Sequence, residues 1–266
     1  MDFIKFPKIK FIEYLGILHL AKSYSLWLHL QRDLFRMLSK FGIRRPYQTQ
    51  LNRILYLKIG DIKYMCRVSD LCSLVETYEY KFYALNKFLP TQNDTVFDAG
   101  ATIGEYALFA AKFAKKVIAI EPDAESFDIL KKNIQINNSK NISCQKTAIM
   151  DKQHIVKIYR NTGVQGDSIS KVGPNYYLSP AFSIDSILKD SKVNIIKLDI
   201  EGAEYLALLG AKRTIKRFKP RFIIEVHSQK LKSDVIKFLK KFNYSLVREM
   251  PVMEKPFVSL IYLEPN

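Results

Sequence analysis

Cysteine is scarce: the 266 residues hold three, Cys66, Cys72 and Cys144, with no CxxC pair among them. A disulfide framework and a cysteine-based zinc site are thereby excluded. An odd, sparse set suits a reducing compartment, with each thiol serving as a small apolar side chain. Acid is also in short supply, with 26 Asp and Glu against 42 Lys and Arg and a net charge of +16. The imbalance invites an anionic partner such as nucleic acid, anionic lipid or an acidic substrate, although a lysine-rich proteome gives the same bias. It is steepest in residues 1–69, where 13 basic residues face 4 acidic ones. No long apolar run is unbroken: Glu13, His19, Lys22 and His29 interrupt Phe11–Leu30. That excludes a spanning helix, which needs about 20 mostly apolar residues, and a secretory signal, which needs a cleaner core. The expectation is a cytoplasmic protein whose residues 1–45 can touch an anionic membrane surface. Repeats and low-complexity tracts are missing too.

What is present suits a globular fold. Hydrophobic residues make up 48% of the chain, and this length buries a core without staples. Leu15, Leu18, Leu26, Leu30, Leu34 and Leu38 recur at helical spacing, so residues 11–40 read as a helix carrying Trp27, the sole tryptophan. Basic residues within it would suit an interfacial helix; packing against the rest of the chain is the simpler reading. Two apolar runs, 54–59 and 62–68, flank Gly60-Asp61 and read as a β-hairpin. A helix over 72–88 follows. We place a boundary near residue 89, with an extension over 1–88 and a core over 89–266. In the core, strands at 95–98, 117–121, 142–148, 194–199 and 221–227 alternate with helices at 104–114, 124–137 and 203–217. Such alternation predicts a mostly parallel sheet covered on both faces. Strands at 244–248 and 258–263 read as a closing antiparallel hairpin.

Chemistry concentrates where these strands end. The run Val96-Phe97-Asp98-Ala99-Gly100-Ala101-Thr102-Ile103-Gly104 takes an apolar strand into an acid, then Gly-x-x-x-Gly, then a helix. Glycine admits close approach of a ligand, and a helix start offers N–H groups to an anion such as an amino-acid carboxylate. Asp98 suits the ammonium of the same amino acid. The three-glycine pattern of dinucleotide folds is missing, as is the Walker sequence. Glu121 ends the next strand 21 residues after Gly100, where a carboxylate can accept both hydroxyls of a ribose. The third strand, through Ala148, should line an adenine pocket. The fourth, Ile195-Ile196-Lys197-Leu198-Asp199-Ile200-Glu201-Gly202-Ala203-Glu204, puts Lys197, Asp199 and Glu201 on one side if it stays extended. The fifth puts Glu225 and His227 on one face.

The series FDAGATIGEY, AIEPD, IKLDIEGAE and KPRFIIEVH, in that order over roughly residues 95–248, resembles the FkbM family of methyltransferases. The resemblance implies a class I α/β fold, Rossmann-like, with a mostly parallel seven-stranded sheet and an antiparallel C-terminal hairpin. It also implies S-adenosyl-L-methionine as donor and O-methylation, often of sugars or natural-product hydroxyls. Asp98, Gly100 and Gly104 match the family's first motif, Glu121 its ribose-binding acid, and Asp199, Glu201, Gly202 and Glu204 its fourth-strand signature.

Methyl transfer is an in-line displacement, so the protein aligns the acceptor and handles one proton. His227 or Asp199 is expected to take it, although a strand-end histidine can equally just hydrogen-bond a loop. Asp199, Glu201 and Glu225, with His227, could alternatively gather a divalent cation. The polar segment 160–180, with Tyr176 and Tyr177, could cover the acceptor. The expected partner is a small-molecule or glycan acceptor. The main rival is an RNA 2′-O-methyltransferase, motivated by the +16 charge, but no RNA-binding module is recognisable and the Asn/Asp-Pro-Pro-aromatic motif of base-amine methylation is missing. A second rival is a non-catalytic membrane- or glycan-binding protein on the same fold.

Overall fold

The computed structural model describes residues 52–78, 82–160, 167–169, 173–252 and 257–266, together with the strand pair Ile12–Glu13. Apolar runs with β-branched residues form the centre of the molecule. They are β4 (Thr95–Ala99), β5 (Lys116–Ile120), β6 (Ile142–Gln145), β10 (Ile195–Leu198) and β11 (Arg221–Val226). With β12 (Tyr244–Pro251) and β13 (Ser259–Pro265) they build a seven-stranded sheet in the order β12-β13-β11-β10-β4-β5-β6. The five strands from β11 to β6 run parallel, and β13 and β12 close the other edge antiparallel, as the sequence predicts.

From β4 the chain proceeds outward to β5 and β6, then returns to β10 on the other side. The reversal lies between β4 and β10, and ligands of open α/β sheets bind outside such a point, at the carboxyl ends of the strands. The pleat sorts side chains strictly. Phe97, Ile196, Leu198, Phe222 and Ile224 enter one buried layer with Leu208, Ile215 and Val235. Val96, Ile195 and Ile223 enter the other with Tyr83 and Tyr106.

The helices are α1 (Leu71–Tyr78), α2 (Glu105–Ala111), α3 (Ala124–Ile136), α4 (Ile184–Leu188), α5 (Glu204–Leu209), α6 (Lys212–Phe218) and α7 (Gln229–Lys240). Two departures from the predicted elements have clear causes. The helix expected over 203–217 is two helices broken at Gly210, where a Cβ would stand 2.5 Å from the Met150 carbonyl oxygen and 2.9 Å from Ser183 Cβ. The strand expected over 142–148 stops at Gln145; Ala148–Ile149 forms β7 in a separate sheet with β8 (His154–Tyr159) and β9 (Tyr176–Phe182). That sheet occupies part of the stretch read as a polar loop.

Upstream, β2 (Ile54–Ile59) and β3 (Ile62–Arg67) form the expected hairpin, turning at Gly60 with φ +58°. Ile12–Glu13 (β1) pairs in parallel with Leu57–Lys58, where helical spacing predicts a helix. The rest of that predicted helix, and with it the proposed membrane-contacting segment, lies outside the described residues. The helix expected over 72–88 ends at Tyr78. The hairpin is stitched to the core by α3. Asn133 accepts from the Met65 N–H at 2.7 Å and donates to the Met65 carbonyl at 2.9 Å. One turn later Asn137 does the same for Lys63, at 2.8 and 2.7 Å. The two amides, spaced to share one helix face, pair the outer edge of β3 as a strand would.

Candidate functional site

A cavity of about 590 Å³ opens at the carboxyl ends of β4, β5, β10 and β11, within the size range of small-molecule sites. Gly100, Thr102, Glu121, Ala148, Asp199, Glu201 and Glu225 all stand on its wall. The expected residues from four strand ends are thus brought together.

The glycine loop folds back on β5: the N–H groups of Gly100 and Ala101 both donate to the Ile120 carbonyl at 3.0 Å. Gly100 has φ +79°, and its Cβ position lies 1.8 Å from the Asp199 carbonyl oxygen, so only glycine lets the β4 and β10 ends touch. Gly104, φ +91°, precedes α2 and lies off the cavity wall. Its role is to start the helix against Leu130.

Glu121 is buried, and each of its oxygens is already aimed: Oε2 accepts from the Thr102 N–H at 2.8 Å and Oε1 from the Asp123 N–H at 2.9 Å. Burial, opposed by those two N–H groups, pushes its carboxyl up to about 8. Beyond it, Thr147, Ala148, Ile149 and Met150 line the cavity together with Ile158 and Tyr177 of the small sheet. Arg160 lies 4.9 Å from the Tyr177 ring centroid and pairs with Asp123 at 3.0 Å across the rim. Tyr176, its neighbour, is half-exposed and off the wall.

Asp98 is not on the wall. It is fully buried behind it, 3.3 Å from Lys197 Nζ. Lys197, opposite Asp98 in register on β10, also lies 3.5 Å from Asp199 Oδ2 and donates to the Gly100 carbonyl at 3.3 Å. Sequence reading placed Lys197 on this face without giving it a role; only the strand register reveals the pairing. Burial raises the Asp98 carboxyl, with Lys197 opposing it.

The extended conformation ends at Leu198, and Glu201 turns left-handed at φ +51°, so its place on the wall comes from the loop and not from strand alternation. Glu204, fully buried, holds that loop by accepting from the Ile200 N–H at 3.0 Å and the Gly202 N–H at 3.0 Å. His227 stands just behind the wall. Nδ1 is 3.7 Å from Glu201 and 4.0 Å from Glu225, Nε2 is 3.7 Å from Glu204, and Nε2 has no hydrogen-bond partner. Asp199, Glu225 and His227 each bring a ligand-type atom within 4.8 Å of the others, a grouping that includes the histidine and leaves out Glu201.

Glu105, at the start of α2, sits below the same face with Oε2 buried and unpartnered. Burial pushes its carboxyl up to about 8. Between pH 4.5 and about 8 the folded chain therefore keeps a proton that the unfolded chain has released, so stability falls as pH rises through that window, by about 1.4 kcal/mol per pH step. Glu105→Gln should raise the melting temperature at about pH 8 by roughly 10 °C and leave it unchanged at about pH 4. An equal effect at both pH values, measured by thermal melts, would mean that the carboxyl is ionised in the fold.

The Methyltransferase FkbM domain matches residues 98–246, more than half of the chain. The chain belongs to the FkbM methyltransferase family. Among solved structures, the FkbM methyltransferase of Methylobacillus flagellatus aligns with a TM-score of 0.53 at 19% identity, over 74% of this chain and 54% of that one. The chain thus spans about half the length of that relative, and the likeness shows the fold. SMU.1697c of Streptococcus mutans, solved in complex with SAH, aligns at TM-score 0.46 and 16% identity over 71% of this chain and 96% of its own. A 51-residue stretch is 49% identical to the uncharacterized protein MJ1452 of Methanocaldococcus jannaschii, 19% of this chain and 20% of that protein. Among the described residues no helix is long and apolar enough to cross a membrane.

Proposed function

We propose that this FkbM-family enzyme O-methylates a hydroxyl of a sugar, a glycan or a related polar small molecule. The charge of the cavity carries this reading. Nine carboxylates line it against two arginines, and both arginines are engaged, Arg67 with Asp70 and Ser126 and Arg160 with Asp123. A phosphate-rich acceptor would be repelled there despite the overall charge of +16. The donor is a sulfonium cation and is favoured by the same acids. The wall contributed by residues 52–76 offers Asn52, Ser69, Ser73 and Glu76, short groups that hydrogen-bond hydroxyls.

In the displacement, the acceptor oxygen attacks the methyl carbon, the sulfonium leaves as a neutral thioether, and the hydroxyl proton must depart. Asp199, on the wall and tied to Lys197, orients the hydroxyl. His227, whose Nδ1 faces Glu201 and Glu225 of the wall at 3.7 and 4.0 Å, takes the proton. The grouping of Asp199, Glu225 and His227 favours a second reading, in which a divalent cation binds the acceptor oxygen there.

The test is transfer of labelled methyl from S-adenosylmethionine to a panel of free sugars, nucleotide sugars, lipid-linked glycans and RNA. Label entering glycan supports the proposal; label entering RNA alone sinks it. On the accepted substrate, His227→Gln should lower kcat by about a hundredfold or more with donor affinity unchanged, whereas unaltered turnover would make the imidazole structural. Loss of activity after exhaustive chelation, restored by Mg²⁺ or Mn²⁺, would select the metal reading, and full activity would remove it.

A further inference from the structure

Among four consecutive buried residues of β10, three are apolar and one is Lys197, 1% exposed. An ammonium in such a place is costly unless it is paired. Its surroundings are specific. Asp98 from β4 and Asp199 from the end of β10 lie at 3.3 and 3.5 Å, and the Gly100 carbonyl at 3.3 Å. The rings of Tyr83 and Tyr106 face it at 5.6 and 5.9 Å from their centroids. Glu105 of α2 and Glu225 of β11 add longer-range attraction.

These partners fall into two groups. Asp98 has no exposure and touches no ligand space; Asp199 and Gly100 form the cavity wall. Stability alone does not call for the arrangement, since a buried ion pair can often be replaced by apolar residues without loss. What an apolar residue could not do is fix a wall carboxylate and a wall carbonyl from beneath. We propose that Lys197 is a positioning residue for the methyl donor: from behind the wall it holds the Asp199 carboxylate and the Gly100 carbonyl in place and, with Asp98, sets that part of the seat at one net negative charge. The donor, with sulfonium, ammonium and carboxylate, carries one net positive charge and complements it. This inference rests on the family's donor and needs no acceptor, so it stands apart from the glycan assignment.

Calorimetric titration of S-adenosylmethionine into the full chain reads out the loss of this support. Lys197→Met should bind at least about tenfold more weakly than the wild type, and a folded variant with wild-type affinity would overturn the proposal. Asp98→Asn combined with Lys197→Met removes the acid that would otherwise be stranded. It should still bind weakly, because Asp199 and Gly100 remain unanchored; wild-type affinity would again overturn the idea. A third measurement needs no variant: the ¹⁵N resonance of the Lys197 ammonium should move when the donor is added, and a signal that stays put counts against the proposal. Wild type that fails to bind the donor would instead strike at the donor assignment.

Discussion

Glu121→Ala should weaken S-adenosylhomocysteine binding about a hundredfold, the largest loss expected from removing a single side chain on the cavity wall. The carboxylate is positioned in advance by the N–H groups of Thr102 and Asp123, so little ordering remains when it meets a ribose. Each hydrogen bond from a hydroxyl to a charged acceptor contributes about 1.5–3 kcal/mol. Losing two corresponds to roughly a hundredfold or more. Glu121→Gln, which keeps the shape and one acceptor oxygen, should fall between alanine and wild type. Because burial holds the carboxyl up to about 8, binding to the ionised form at neutral pH should release a proton. Calorimetry in two buffers of different ionisation heat detects it. If alanine binds as well as wild type, the ribose lies elsewhere.

Gly100→Ala should be the most damaging of the glycine substitutions. Its Cβ would lie 1.8 Å from the Asp199 carbonyl oxygen and 2.9 Å from its carbon, at φ +79°. Both obstacles are backbone, so relief requires parting β4 from β10 in the middle of the sheet. We expect a loss of about 4 kcal/mol or more and no donor binding. Gly104→Ala shares the unfavourable φ but meets only Leu130 Cδ1 at 2.6 Å, the end of a flexible side chain. Gly60→Ala meets nothing within 4 Å and should cost about 1 kcal/mol. Thermal melts should rank the three Gly100, Gly104, Gly60 in decreasing damage. A Gly100 variant as stable as the Gly60 variant would contradict the close contact of the two strands.

The parts of the site that could be read in advance are those where an apolar run ends in a polar residue. Asp98, Glu121, Asp199, Glu225 and His227 all stand out in that way, and the sheet collects their strand ends. What a linear reading misses is contact that depends on register. Lys197 looks like one more face of a strand until β10 is laid beside β4 and Asp98 becomes its neighbour. The same limit separates Asp98, behind the wall, from Asp199, on it. The small sheet was hidden for a local reason: Pro180 lies inside β9, and proline argues against a central strand. Glu201 was placed by alternation on a strand that had already ended. The break at Gly210 answers to the Met150 carbonyl, sixty residues away in sequence.

The paired asparagines of α3 bear on how acceptor specificity could be transplanted. Ser69, Ser73 and Glu76, on the cavity wall where the acceptor is proposed to sit, follow directly on the strand whose edge Asn133 and Asn137 complete. Grafting residues 54–78 from a relative with another acceptor would leave these amides facing a foreign edge. The exchange would then carry the new wall but not its register. A chimaera that takes the α3 partners along with the hairpin should keep both, making the transferable cassette two segments joined by contacts about seventy residues apart.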